Sequence, residues 1–212
     1  MRQYTFFDNV LMQLEKGVHA IHVSQPGTDR KAPAANTAES ELNDVERRHA
    51  AGLMRVNHSG EIAAQALYNG QALFARRQDV RERLENSARE EADHLDWCKE
   101  RLEQLGAGTS LLGPMWYWGS FAIGALASAT GDRWSLGFIK ETEDQVIEHL
   151  KGHLQSLPER DLKSKAIIEQ MIEDEAKHGD AAVEAGAASL PLPIRLLMRA
   201  TAKIMTTASY RV

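Results

Sequence analysis

The chain has 212 residues, enough for one domain with a full hydrophobic core. Apolar residues make up 43% and charged residues 26%, which argues against a collagen, a wholly disordered chain or a multi-span membrane protein. A net charge of −5 offers no basic excess for nucleic acid, and a single cysteine rules out an intrachain disulfide framework and a cysteine-rich zinc site.

The opening stretch, MRQYTFFDNVLMQLEKG, lacks a basic run followed by an apolar stretch and a small-residue cleavage site. The mature protein is therefore expected to start at or near Met1, on the cytoplasmic side. Residues 1–22 read as a short amphipathic helix, and 24–40, rich in Pro, Gly, Ser, Thr and Asn, as a linker. Residues 1–40 are thus set apart from a main domain over 41–212. None of the six prolines interrupts 34–113, 115–157 or 159–190, and these stretches are rich in Ala, Glu, Leu, Arg and Gln. Proline-free stretches of that composition hold long helices. Helices are predicted over about 41–76, 79–105, 132–157, 159–186 and 193–208. Asp79 is the expected N-cap of the second, Gly106 and Gly186 are expected stops, and Pro158 is expected near the start of the fourth. The fold class is all-α.

Residues 104–131 carry no charge at all. The length approaches the ~20 residues of a bilayer span, but glycines and Pro114 break it. Three readings stay open: a buried crossover helix, a membrane-contacting element suggested by Trp116, Tyr117 and Trp118, and a true span. Two helix pairs joined by one long connection match a ferritin-like four-helix bundle.

Two Glu-x-x-His pairs carry the chemistry: Glu91-Ala-Asp-His94 and Glu175-Ala-Lys-His178. Residues three apart on a helix share a face, so a carboxylate and an imidazole so spaced can grip one metal ion. Glu91 occupies a core slot in the seam Leu84, Ala88, Glu91, Leu95, Cys98, Leu102, while Glu90 and Asp93 fall off it. Glu175 does the same between Met171, Ile172 and Ala182, with Glu173 and Asp174 off the seam. The other two helices offer Glu61 and Glu143 at core positions, with Glu141, Asp144 and Glu148 outside. A buried carboxylate is costly unless it is paired or holds a metal. Four such glutamates and two histidines, Glu61, Glu91, His94, Glu143, Glu175 and His178, form a site for two divalent metals, with iron or manganese suited to the mixed donors. Cys98 reads as a small core residue.

At these residues the chain resembles the demethoxyubiquinone hydroxylase family of di-iron carboxylate monooxygenases. The carrying motifs are Asn57-His58-Ser59-Gly60-Glu61-Ile62, Glu91-Ala-Asp-His94, Glu143-Asp144-x-Val146-Ile147-Glu148-His149 and Glu175-Ala-Lys-His178, and the resemblance covers about 42–212. It implies hydroxylation of a demethoxyubiquinol ring in ubiquinone biosynthesis with O2 and external electrons. It carries over Glu61, Glu91, His94, Glu143, Glu175 and His178 as ligands of two iron ions, ferrous in the oxygen-reactive form. His149 matches a family histidine and is expected to support the ligands or relay electrons, or else to face solvent. His58 is either a supporting residue or ordinary helix surface.

The substrate so implied, a polyprenyl quinol, lives in a bilayer, so peripheral attachment to the cytoplasmic face of the inner membrane is expected. Other ubiquinone-biosynthesis proteins are possible neighbours, and nucleic acid is not a partner. Contact would come from 111–127 or from the last helix, where Ile194, Leu197, Met198, Ile204 and Met205 oppose Arg195, Arg199 and Lys203; that helix could equally be a lid on the bundle. The rivals are an iron-storage or peroxide-scavenging ferritin relative, a tRNA-modifying di-iron hydroxylase and a membrane-bound quinone-binding scaffold.

Overall fold

The first long helix begins where Asn43 can cap it. Asn43 Oδ1 accepts from the backbone N–H groups of Val45 at 2.9 Å and Glu46 at 3.0 Å, and the Glu46 carboxylate accepts from Asn43 N at 2.9 Å. This reciprocal box contributes about 1 kcal/mol and sets the start that composition alone placed two or three residues early. The computed structural model describes residues 8, 11, 12, 15, 17, 27, 28, 30–38 and 41–212. Most of the expected N-terminal helix lies outside the described residues; Asp8, Leu11, Met12, Glu15 and Gly17 are helical.

A 3-10 turn, Pro33–Asn36, precedes six helices: α1 Asp44–Phe74, α2 Gln78–Gln104, α3 Gly113–Ala129, α4 Asp132–Ser156, α5 Leu162–Glu184 and α6 Leu192–Ser209. All regular structure among the described residues is helical. Gly106 and Gly186 sit just past α2 and α5 with φ of 71° and 100°, the left-handed conformation that suits glycine. Two starts differ from expectation. Arg77, not Asp79, is the N-cap of α2, and Asp79 instead accepts from Arg77 Nε at 3.1 Å. Asp161, three residues beyond Pro158, caps α5 by accepting from Ser164 N at 3.1 Å, and it also pairs with Arg101 at 2.8 Å.

The bundle consists of α1, α2, α4 and α5. Tyr68 meets Glu143, Asn57 meets His153 and His49 meets Ser156, so α4 runs antiparallel to α1. Asp132, at the start of α4, accepts from Arg76 N at 3.0 Å and Arg77 N at 2.9 Å, tying the α1–α2 turn to the second hairpin. Apolar side chains fill two layers. One collects Met54, Trp97, Cys98, Leu102, Leu150, Ile168 and Met171; the other collects Tyr68, Leu84, Ala88, Leu136, Ile139 and Ala182. Between them lie the sequence positions of all six predicted ligands.

The uncharged crossover is not buried inside the bundle. Helix α3 lies along the outside of α1, and only Gly113, Tyr117, Gly124 and Ser128 are buried. The contact is close because glycines face it: a Cβ on Gly124 would overlap the Leu67 carbonyl, and one on Gly70 would overlap the Phe121 carbonyl. Leu111, Met115, Ile123 and Leu126 are exposed. Among the described residues no helix is long and apolar enough to cross a membrane. Helix α6 turns part of its basic face toward the bundle, where Arg195 pairs with Glu141 at 2.6 Å and Arg199 with Glu148 at 3.3 Å. Leu192, Leu196, Leu197 and Ile204 are left exposed.

Candidate metal centre

Each bundle helix brings its glutamate inward at the level between the two apolar layers. Glu61 comes from α1, Glu91 and His94 from α2, Glu143 from α4, and Glu175 and His178 from α5, all buried. They fall into two overlapping groups. Donor atoms of Glu61, Glu91, His94 and Glu175 lie within 4.8 Å of one another, as do those of Glu91, Glu143, Glu175 and His178. Glu91 and Glu175 belong to both groups, which is the arrangement two bridged ions require.

Both histidines point Nδ1 at the carboxylates. His94 Nδ1 lies 3.2 Å from Glu91, 3.3 Å from Glu175 and 3.6 Å from Glu61. His178 Nδ1 lies 3.1 Å from Glu175 and 3.3 Å from Glu91. The outer nitrogens are held reciprocally across the bundle: His94 Nε2 lies 3.2 Å from Asp174 on α5, and His178 Nε2 lies 2.8 Å from Glu90 on α2. A carboxylate behind a metal-facing imidazole fixes its tautomer and orientation.

The donor set fits a cation. Glu61 Oε2, Glu91 Oε1, Glu143 Oε2 and Glu175 Oε1 are buried and make no hydrogen bond among the described residues. Burial, then the neighbouring Glu91, pushes Glu61 well above the usual carboxylate range; burial, then Glu175 and Glu91, does the same to Glu143. Burial also opposes the charged forms of Glu91 and His178. Close contacts outweigh it, Glu61 and the two histidines holding Glu91 low, and Glu175, Glu90 and Glu91 holding His178 high. Carboxylates of one sign, stacked out of water with lone pairs unspent, are the electrostatic complement of divalent metal. Tyr68 adds a hydroxyl, which donates to Glu143.

The structure thus brings all six predicted ligand positions together. His149 is in neither group. It is half-buried on α4, its ring edge-on to His153 at 5.1 Å, and its Nε2 is shielded from solvent and makes no hydrogen bond among the described residues; burial pushes it down to about 4. His58 is buried rather than on the helix surface, and burial, aided by Lys99, pushes it down to about 4. Cys98 is a core residue, with Sγ 3.9 Å from Met171 Sδ, and burial raises its thiol.

Four acidic residues placed off the seam prove to be structural partners. Glu90 and Asp174 orient the two histidines; Asp93 and Glu141 are buried, Glu141 against Arg195. The first two had a readable signal: each immediately precedes the glutamate of a Glu-x-x-His pair. Arg30 and Thr28, in the stretch read as a plain linker, also reach this region. Thr28 N donates to Asp93 at 2.9 Å, and Arg30 donates to Asp174 at 2.7 Å and Asp93 at 3.3 Å.

Several known proteins are similar to this chain over most of its length. A 3-demethoxyubiquinol 3-hydroxylase of Nitrosococcus oceani is 50% identical over 209 residues, covering 99% of this chain and 98% of its own. One from Ralstonia pickettii is 57% identical over 183 residues, covering 85% of this chain and 84% of its own. One from Legionella pneumophila is 49% identical, covering 99% of both chains. The family model described as ubiquinone biosynthesis protein COQ7 matches residues 48–209, and the chain belongs to that family.

Proposed function

We propose that this chain is a 3-demethoxyubiquinol 3-hydroxylase, using O2 and external electrons at a pair of iron ions. Glu61 and His94 would serve one ion and Glu143 and His178 the other, with Glu91 and Glu175 shared. The observation that carries the reading is the set of four orphaned carboxylate oxygens converging between two imidazole Nδ1 atoms. Family membership supplies the reaction. Iron bound there would supply the redox chemistry of dioxygen reduction.

The protein's own groups do the rest. Asp174 and Glu90 hold the outer Nε2 atoms of the two histidines, which would leave each Nδ1 to face a metal ion. The apolar layers above and below exclude bulk water and strengthen every charge interaction inside. The Tyr68 hydroxyl holds one oxygen of Glu143, leaving the other free for metal.

A polyprenyl quinol must come from a bilayer. The exposed apolar faces of α3 and α6 support peripheral attachment to a membrane, which we place at the cytoplasmic face of the inner membrane as part of this proposal. Other ubiquinone-biosynthesis proteins would work on the same membrane-borne pool. The test is conversion of a demethoxyubiquinol by the purified protein with O2 and a chemical reductant, product identified by mass. Iron-loaded, folded protein that leaves the quinol unchanged would refute the reading.

A further inference from the structure

The stretch ahead of the bundle was expected to be a linker, yet its described part is built onto one side of the metal centre. Ala34 is buried in the apolar layer beside Trp97, and Trp97 Nε1 donates to the Arg30 carbonyl at 3.3 Å. The Arg30 guanidinium lies 5.0 Å from the Trp97 ring centroid, and Trp97 in turn lies 5.2 Å from the His94 ring. From that anchor Arg30 reaches two buried acids on different helices: Asp174 on α5 at 2.7 Å and Asp93 on α2 at 3.3 Å. Thr28 holds Asp93 through its backbone N–H and its hydroxyl. Gly27 permits this approach, since a Cβ there would come within 3.0 Å of Asp93 Cγ.

Asp174 Oδ2 is the atom that holds His94 Nε2, and the same oxygen accepts from Arg30. Asp174 and Asp93 are 2% and 5% exposed, so without a cation between them they would repel each other and the nearby glutamates at close range. Lys177 also reaches Asp174, but its side chain is 68% exposed and screened by water. The other histidine is served differently: Glu90, behind His178, is 40% exposed. The two metal positions therefore have unequal outer support, and the difference is contributed by chain lying outside residues 48–209 of the family match.

We propose that the described residues Gly27, Thr28 and 30–34 form a strap whose Arg30 is a positioning residue, acting on His94 through Asp174 and through its own approach to His94 Nε2 at 3.5 Å, so that the His94 metal position alone depends on the strap for its affinity. The inference rests on the metal-centre reading above, and it concerns binding rather than turnover. The planar, forked guanidinium suits the task because it can meet two carboxylates at once.

The test is titration of full-length, metal-free protein with cobalt(II), followed by ligand-field absorption and by calorimetry. The parent should take up two ions. Arg30→Met should weaken one of the two by roughly tenfold to a hundredfold, the usual range for loss of an outer-sphere partner, and leave the other unchanged. Glu90→Ala should weaken the remaining one, and the double variant should weaken both. Arg30→Lys should recover part of the loss, and Gly27→Val, which displaces the strap without touching Arg30, should reproduce it. Folded Arg30→Met that titrates as the parent does, or that loses both ions equally, overturns the proposal. Should Arg30→Met fail to fold, Gly27→Val and Arg30→Lys decide by the same criteria. A parent that binds no cobalt refutes the metal-centre reading itself, a result distinct from any difference between variants.

Discussion

His153 sits where α4 meets α1. Its Nδ1 lies 2.7 Å from Asn57 Oδ1, so the ring donates to that carbonyl and cross-links α4 to α1. Burial pushes His153 down to about 3, with the neighbouring His149 and His49 adding to the effect. The folded state therefore keeps it neutral, while in the unfolded chain it takes a proton near its ordinary value of about 6.5. As pH falls through ~6.5, only the unfolded state gains this proton, so stability is intact above that pH and is lost below it, until about 3. At ~1.4 kcal/mol per pH unit, the cost by pH 5 is about 2 kcal/mol, an upper figure because part of the ring edge touches water. His153→Asn retains an amide N–H for Asn57 and cannot titrate. Urea unfolding of parent and variant at about pH 7 and pH 5, compared in a His149→Asn background to remove the neighbouring ring, isolates the residue, since His58 contributes equally to both proteins. The parent should lose 1–2 kcal/mol more than the variant, in order of magnitude. Equal losses, or an imidazole resonance for His153 that titrates near 6.5, would refute the reasoning.

Glu90→Ala should lower affinity for one metal ion roughly tenfold or more, because it frees the outer nitrogen of His178, whereas exposed Glu173→Ala should match the parent in a metal titration. Gly124→Val should destabilise the protein by ~1–3 kcal/mol in chemical denaturation, since the added side chain overlaps the Leu67 backbone and must force α3 off α1. Leu126→Asp and Leu197→Asp, both on exposed apolar surface, should leave metal content and helicity unchanged while reducing vesicle co-sedimentation and turnover of long-tailed quinol. Undiminished binding and turnover in both would show that these faces do not meet the membrane.

The six inward donors could be read from sequence because helical periodicity is strict. A carboxylate in step with Leu84, Ala88 and Leu95 has to point where they point, and a second copy on α5 leaves little room for coincidence. The same argument misjudged their flanking neighbours. A residue one position away is rotated about 100°, which in an isolated helix means solvent but in a packed bundle means the next helix. Asp174 and Glu90 lie in those flanks, and so does Glu141, which only the arrival of α6 buries. The crossover stays open in sequence for a different reason. An uncharged segment fits a buried position and a lipid-facing one equally well, and the glycines that decide the packing, Gly70 and Gly124, lie on different helices. Arg30 could not be found at all by local pattern. Its partners lie 63 and 144 residues further along the chain, and the stretch around Arg30 itself looks like any polar loop.

The central claim is that Glu61, Glu91, His94, Glu143, Glu175 and His178 hold two metal ions that do the work of an iron hydroxylase. Iron per folded chain, measured on parent and Glu175→Ala protein alongside demethoxyubiquinol turnover, tests it most directly. The active parent should carry two irons. Because Glu175 belongs to both groups, its loss should remove both iron and activity while helical content stays intact. A Glu175→Ala variant that turns over quinol at the parental rate, or a fully active parent carrying no iron, would contradict it.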